Sequence, residues 1–237
     1  MDNKNAKVLL YSGGMDSWLI DKLWKPDVKI FFDTGVDYDI VEKQLLPDDV
    51  IIFPLHIAQF ELHDAKHTLP LRNMLFLEIA SYYGNEICIG AVNGDKHYDK
   101  QPKFLNDLQT ILNSLYDEVG VLTGIPKQVK IVAPYNTYTK YDLLNMYLKN
   151  GGDINKAWEQ SFSCYTPINQ KPCLNCRACF RKCVPFVLLG KTFTDDEKSR
   201  IKQFVNNYVI PNINTFYNDN EEYNTQTDKA IEVIKQW

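Results

Sequence analysis

The chain has 237 residues, 45% of them hydrophobic, and a formal net charge of −4. That length and apolar share allow one large α/β domain, or a domain with an appendage, and exclude a disordered tail. The acidic balance disfavours a broad phosphate-backbone footprint despite a local basic group at Arg177, Arg181, Lys182 and Lys191. No run approaches the ~18 apolar residues of a membrane span, so neither direct nucleic-acid binding nor membrane insertion is expected.

The N-terminal MDNKNAK carries no apolar signal core, which predicts a cytoplasmic protein. Val8-Leu9-Leu10-Tyr11 then reads as a buried strand, and Trp18, Leu19, Ile20, Leu23 and Trp24 fall at helical spacing. Between them stands Ser12-Gly13-Gly14-Met15-Asp16-Ser17. The glycines can take backbone angles closed to other residues and leave no side chain in the way of a ligand. Unpaired amides at the helix start, with the Ser12 and Ser17 hydroxyls, favour an anion. A tight capped turn is the plain alternative, but the whole string predicts a phosphate cradle. Asp16 facing phosphates would be repelled unless a cation lay between them, so it is read as a Mg²⁺ ligand. The string is not a Walker A loop, because no Lys precedes Ser17.

Further apolar runs at Val28–Phe32, Val50–Phe53, Glu86–Ala91 and Val129–Ala133 alternate with helical patterns near Leu71–Tyr83, Lys103–Val119 and Lys140–Lys149. That alternation predicts an α/β fold with a doubly wound, mostly parallel sheet covered on both faces. Ligands of such sheets sit beyond the carboxyl ends of the strands, so Ser12, Asp33 with Thr34, and Asn93 to Asp95 are expected on one rim. Thr194 to Glu197 forms a capping box that predicts a helix through about Tyr208, with Pro211 just past its end. The tail closes with a short amphipathic stretch, Asp228 to Trp237, suited to packing or oligomer contact.

Five of the six cysteines lie between Cys164 and Cys183. In a cytoplasmic protein that density points to a metal. Cys173, Cys176 and Cys179 are spaced C-x2-C-x2-C, and Cys164 precedes them across an eight-residue loop; four thiolates make a closed zinc site. The run Cys173 to Pro185 also approaches a ferredoxin iron-sulfur pattern with one residue inserted before the Pro, and reduced unligated thiols are a third reading. Zinc is preferred, because no second cysteine set is present. Cys183 and Cys88 are expected to be ordinary buried thiols.

Several segments together resemble the 7-cyano-7-deazaguanine synthase family, QueC, within the PP-loop ATP pyrophosphatases: SGGMDS, LPLRNMLFLEIA (Leu69 to Ala80), ICIGAVNGDKHYD (Ile87 to Asp99), IVAPYNTYTKYDLL (Ile131 to Leu144) and SCYTPINQKPCLNCRAC (Ser163 to Cys179). The resemblance covers about Lys7 to Phe186. It implies ATP-dependent conversion of 7-carboxy-7-deazaguanine and ammonia to the nitrile, through an adenylated carboxylate and an amide. It also implies ATP, Mg²⁺ and Zn²⁺ as cofactors and a homodimer. Ser12, Gly13, Gly14, Asp16, Ser17 and Asp33 would bind the nucleotide and its cation. Asp16, Lys140 and Arg72 would act in AMP transfer, and Asn73, Asp95, Tyr98 and Asp99 would bind the deazaguanine. Cys164, Cys173, Cys176 and Cys179 would hold the metal. The organisation expected is an ATP-binding α/β domain over 1–160, a four-cysteine zinc-binding segment over 161–190 and a helical C-terminal extension over 191–237.

Three stretches depart from the family pattern. Tyr98 to Phe104 reads YDKQPKF where the family has Pro-Asp-Cys-Arg-Pro-Glu-Phe, Leu174 replaces a Gly in the zinc loop, and Phe32-Asp33-Thr34-Gly35 lacks the Gln-Arg-His that follows the second strand. The first and third touch expected substrate surfaces. Alternatives are therefore an enzyme that stops at the amide or passes the activated base to another acceptor, a tRNA-modifying PP-loop enzyme, and a non-catalytic partner subunit.

Overall fold

The computed structural model describes residues 5–62, 69–95 and 97–237. Among these residues five strands form one all-parallel sheet: β1 (Lys7–Leu10), β2 (Val28–Asp33), β3 (Val50–Pro54), β4 (Glu86–Cys88) and β5 (Lys130–Val132). Their spatial order is β3-β2-β1-β4-β5. Val8 pairs with Val28 on one side and Ile87 on the other, so β1 is the centre of the sheet. Every expected strand is present, but β4 stops at Cys88 although the apolar run continues to Ala91. There the Ala91 N–H turns back to the Ile89 carbonyl at 2.8 Å, and the chain leaves the ladder.

Side-chain alternation along β1 divides the core into two layers. Val8 and Leu10, with Ile30, Phe32, Ile87 and Ile131, meet Leu77 and Ala80 of α3 (Arg72–Ala80) and Leu105, Leu108 and Leu112 of α4 (Pro102–Thr123), numbering α1 as Met15–Trp24 and α2 as Asp37–Gln44. Leu9, Tyr11 and Cys88 face the other way, onto Met15, Trp18 and Leu19 of α1 and Leu143 and Leu144 of α5 (Lys140–Lys149). That second layer extends through α6 (Ile154–Gln160), α7 (Arg177–Leu188), α8 (Asp195–Phe204), α9 (Ile213–Phe216) and α10 (Glu221–Lys235). Ala230, Ile231 and Ile234 of α10 are buried in the same cluster as Leu9, so the last helix is part of the main core. Each fully buried leucine or isoleucine there contributes about 1.5–3 kcal/mol.

Some helices had weak sequence signals. In α7 Pro185 and the cysteines obscure the pattern, yet Cys179, Phe180, Cys183, Val184 and Val187 recur at helical spacing and are all buried. The helix after Thr194 is α-helical only to Phe204 and continues as a π turn over Val205–Val209, with Pro211 inside a following 3-10 turn. The closing helix starts at Glu221, seven residues before the apolar stretch begins. Asn220 caps it by accepting the Tyr223 N–H at 2.7 Å. Among the described residues no helix is long and apolar enough to cross a membrane.

Candidate active site

The order of the sheet reverses on either side of β1, which opens a crevice beyond the ends of β1 and β4. The loop after β1 enters that crevice. Gly13 takes φ +70°, and its carbonyl accepts the Phe162 N–H at 2.8 Å, which ties the loop to the chain after α6. The Ser12 and Ser17 hydroxyls lie 3.2 Å apart, and the Gly14 N–H donates to Ser12 Oγ at 3.3 Å. A Cβ on Gly14 would stand 3.2 Å from Ser12 Oγ and 3.5 Å from the Phe162 carbonyl, so an added methyl would crowd the Ser12 hydroxyl. Gly14 also occupies the cap position of α1 and has no side chain to accept from the first amides, of which Met15 N–H donates to Ser163 Oγ at 3.4 Å; a helix start of this kind favours an anionic ligand.

Asp16 in the first turn of α1 forms an ion pair with Lys140, the first residue of α5, and the ammonium reaches both carboxylate oxygens. Lys140 is placed by a capping box: the Thr139 N–H donates to the Asp142 carboxylate at 2.7 Å, and the Asp142 N–H returns to Thr139 Oγ1 at 3.2 Å. The two helices are locked edge to face by Trp18 and Tyr147, 5.1 Å between ring centres.

A single cavity of about 380 Å³ joins Ser12, Gly14, Asp16 and Ser17 to Lys140, to Arg72 and Asn73 at the start of α3, and to Asp95 and Asp99 after β4. Leu71, just before Arg72, takes φ +60°, a conformation that costs a non-glycine residue about 1 kcal/mol and is held at this bend beside the cavity. Three expected site residues point elsewhere. Gly13 faces Phe162. The Asp33 carboxylate is bound by Lys43 at 2.7 Å and by the Gly35 N–H at 3.2 Å, and the Lys43 hydrogen bond holds its carboxyl below the usual range. The Tyr98 ring is exposed and packs edge-on to Phe104.

Other cavity residues were not singled out as site residues. Asp39 of α2 accepts the Thr34 N–H at 2.7 Å and the Thr34 hydroxyl at 2.8 Å, which fixes the end of β2. Burial raises the Asp39 carboxyl, against those hydrogen bonds. Glu42, one turn further along, is pushed up to about 8 by burial and the Asp39 charge, with Arg72 opposing. Lys100 pairs with Asp95 at 2.9 Å and donates to the Gly90 carbonyl at 2.9 Å. Burial alone would raise Asp95, but Lys100, Lys140 and Arg181 together outweigh it and hold the carboxyl below its ordinary value. Arg181 and Lys182 come from α7. Lys182 is buried, donates to the Trp158 carbonyl at 2.7 Å, and is lowered to about 8 by that burial. The missing signal was the helical character of α2 and α7, without which these side chains had no common direction.

The sulfurs of Cys164, Cys173, Cys176 and Cys179 all lie within 4.8 Å of one another and could hold a metal such as zinc. A tetrahedral zinc at about 2.3 Å from each sulfur needs them roughly 3.8 Å apart, and Cys173 and Cys179 are at 3.9 Å. Backbone amides already point at the sulfurs: Cys173 N–H to Cys164 at 3.2 Å and Asn175 N–H to Cys173 at 3.3 Å. The fourth member of the cluster is Cys164, whereas Cys183 and Cys88 sit in the core away from it, which departs from the ferredoxin pattern. Leu174 adopts φ +54° in the position of the family's glycine, and burial of its side chain in the main core offsets the strain. Phe162 packs with Cys164, Cys173 and Cys179, so the cluster and the Gly13 loop share one anchor.

A parallel α/β sheet with a glycine-turn cavity at its switch point, backed by a four-thiol segment, defines the PP-loop class of protein. Residues 39–189 match the family described as "Queuosine biosynthesis protein QueC", and the chain belongs to that family. It is similar to proteins named 7-cyano-7-deazaguanine synthase. With that of Thermoplasma volcanium it is 26% identical over 199 residues, 81% of this chain and 76% of the relative. With that of Thermoplasma acidophilum it is 28% identical over 162 residues, 65% of this chain and 64% of the relative. With one from Desulfitobacterium hafniense it is 27% identical over 217 residues, 76% of this chain and 90% of the relative.

Proposed function

We propose that this protein uses ATP to activate the carboxylate of 7-carboxy-7-deazaguanine and converts it, with ammonia, to 7-cyano-7-deazaguanine. The reading rests chiefly on one cavity that joins the SGGMDS loop, the Asp16–Lys140 pair and the loop after β4, in a chain whose relatives carry the synthase name. A carboxylate oxygen attacks the α-phosphorus of ATP and releases pyrophosphate; ammonia then adds to the acyl carbon and AMP leaves, giving the amide. The amide oxygen is adenylated in turn, and loss of AMP and the nitrogen-bound protons leaves the nitrile, with no redox change.

In this reading Ser12, Gly14 and Ser17 bind the phosphates, while Gly13 fixes the loop through Phe162. Mg²⁺ held at Asp16 would neutralise phosphate charge. The present Asp16–Lys140 pair would then divide, leaving Lys140, with Arg72, to offset charge at the transferring phosphoryl group. Asn73, Asp95 and Asp99 receive the purine-like edge. Zn²⁺ at the four cysteines is structural. Residues 1–160 carry the nucleotide, 161–190 the metal tie and 191–237 the helical closure, and a homodimer in the cytoplasm is part of the same reading.

Lys100 favours a second outcome of the same activation. It replaces the family's cysteine, lines the cavity and holds Asp95. A cation there suits an amide end product or a conjugate with another acceptor. Incubation with ATP, Mg²⁺, ammonium and 7-carboxy-7-deazaguanine, followed by AMP assay and mass spectrometry, separates these. Nitrile supports the main reading, amide or conjugate the second, and no AMP with any deazaguanine acid sinks both.

A further inference from the structure

The C-terminal helix, beyond the residues matched to the family, reaches the cavity wall. Arg181 of α7 lines the cavity, and its Nε donates to the Tyr223 hydroxyl of α10 at 3.1 Å. Its Nη2 donates to the carbonyl of Gly94 at 3.1 Å, one residue before Asp95. The fit around Gly94 is close: with φ +107°, a Cβ there would lie 3.1 Å from both the Tyr223 ring and Asn218 Nδ2. Asn218 is itself pinned to the helix, its N–H donating to Asn224 Oδ1 at 2.9 Å and its carbonyl accepting from Asn224 Nδ2 at 2.8 Å. Three segments remote in sequence therefore meet at one guanidinium.

An arginine fork has five donors in one plane, and two bonds on its Nε side orient that plane. Both bonded partners are neutral oxygens, and the carboxylate beside it, Asp95, is already paired with Lys100. Arg181 and Lys140 line the same cavity, and Asp95 senses both of them together with Lys100. A carboxylate bound in that cavity would meet a fork already oriented by the Tyr223 hydroxyl and the Gly94 carbonyl.

We propose that α10 completes the acceptor end of the cavity: Arg181 binds the carboxylate of a planar heterocyclic acid, and Tyr223 is the positioning residue that holds Arg181 and the Gly94 loop. The proposal rests on the functional reading only for the identity of that acid. Tyr223→Phe keeps the ring against Gly94 and removes the acceptor. Loss of a hydrogen bond that orients a charged group predicts about tenfold weaker binding of 7-carboxy-7-deazaguanine, with affinity for its neutral nitrile and for ATP unchanged, all read by calorimetry. In the ligand-free protein, hydrogen exchange over residues 89–95 should quicken. Arg181→Lys should weaken the acid at least as much. Tyr217→Phe, which loses an exposed bond to Asp228 in the same extension, should leave every readout at wild type.

Unchanged exchange together with unchanged acid affinity in Tyr223→Phe overturns the proposal, as does an equal loss for acid and nitrile. If wild-type protein binds neither deazaguanine, the functional reading falls, and exchange alone then decides whether Tyr223 sets the loop.

Discussion

The two ends of the cavity are built in opposite ways. The loop end comes from six consecutive residues, Ser12 to Ser17, held by their own hydroxyl and amide contacts. The far end is assembled from the loop after β4, α7 and α10, with Gly94, Arg181 and Tyr223 spread across more than half of the chain. A contiguous motif can be conserved in geometry by a short string, whereas an assembled wall can change its chemistry one segment at a time. Lys100, which stands in one of the three stretches that depart from the family pattern, belongs to the assembled wall together with Arg181.

The segment common to both ends gives the largest expected effect. Phe162 contacts the cysteine cluster and hydrogen-bonds Gly13, and α7 leads from the cluster to Arg181. Cys176→Ser should lower metal content from one equivalent per chain to near zero, as read by elemental analysis. Losing a structural metal should cost about 4 kcal/mol or more, a fall in the thermal midpoint on the order of 10 °C. Both nucleotide and acid binding should weaken together. Wild-type metal content in the variant would remove Cys176 from the ligand set, and a broad absorbance near the blue in wild type would replace zinc with an iron-sulfur cluster.

Asp16→Ala should separate the ends instead. AMP formation should fall by about 100- to 1,000-fold, while affinity for the acid changes little and the fold is retained. Lys140→Ala should do the same, and the double variant should be worse than either alone, because the two side chains, paired without ligand, part to separate tasks once ATP is bound. Turnover surviving in Asp16→Ala would end the metal-holding role assigned to that carboxylate.

Much of the loop end was legible because its signals are local. Glycine pairs, hydroxyls and a following helical pattern all lie within one short window, and the five strands announced themselves as apolar runs. The far end was not legible for a physical reason: its walls stand on α7, whose helical pattern is interrupted, and on α10, whose first half is polar. Arg181 was visible only as one of several basic residues, and nothing in the string ties Tyr223 to Gly94. Asp33 and Tyr98 show the converse case. Each sits beside a strand end or loop that reaches the cavity, but Lys43 and Phe104 hold their side chains away from it.

Gly14→Ala tests how tightly the loop end is built. The added methyl would press on Ser12 Oγ at 3.2 Å with no strain in the backbone, since Gly14 has φ −66°. Crowding should cost about 1 kcal/mol of stability, and displacement of the Ser12 hydroxyl should raise the KM for ATP by about three- to tenfold. The KM for the acid should not move. Equal changes in both would mean that the two ends are not independent.

The last effect concerns the wall between them. Glu42 has its carboxyl raised from 4.5 to about 8 by burial and the neighbouring Asp39. Between those values the native protein holds a proton that the unfolded chain has released, so rising pH favours unfolding across that window. The penalty is absent below about pH 4.5 and complete above about pH 8. Glu42→Gln stays neutral throughout, so its stability advantage in urea unfolding should be near zero at about pH 4 and grow steadily to about pH 8. A gap that does not change with pH would show that Glu42 ionises normally. If the gap does grow, the wall beside Arg72 presents a protonated carboxyl at neutral pH. A phosphate-bearing ligand can then approach along α2 without meeting a second negative charge, which is the condition the loop end needs.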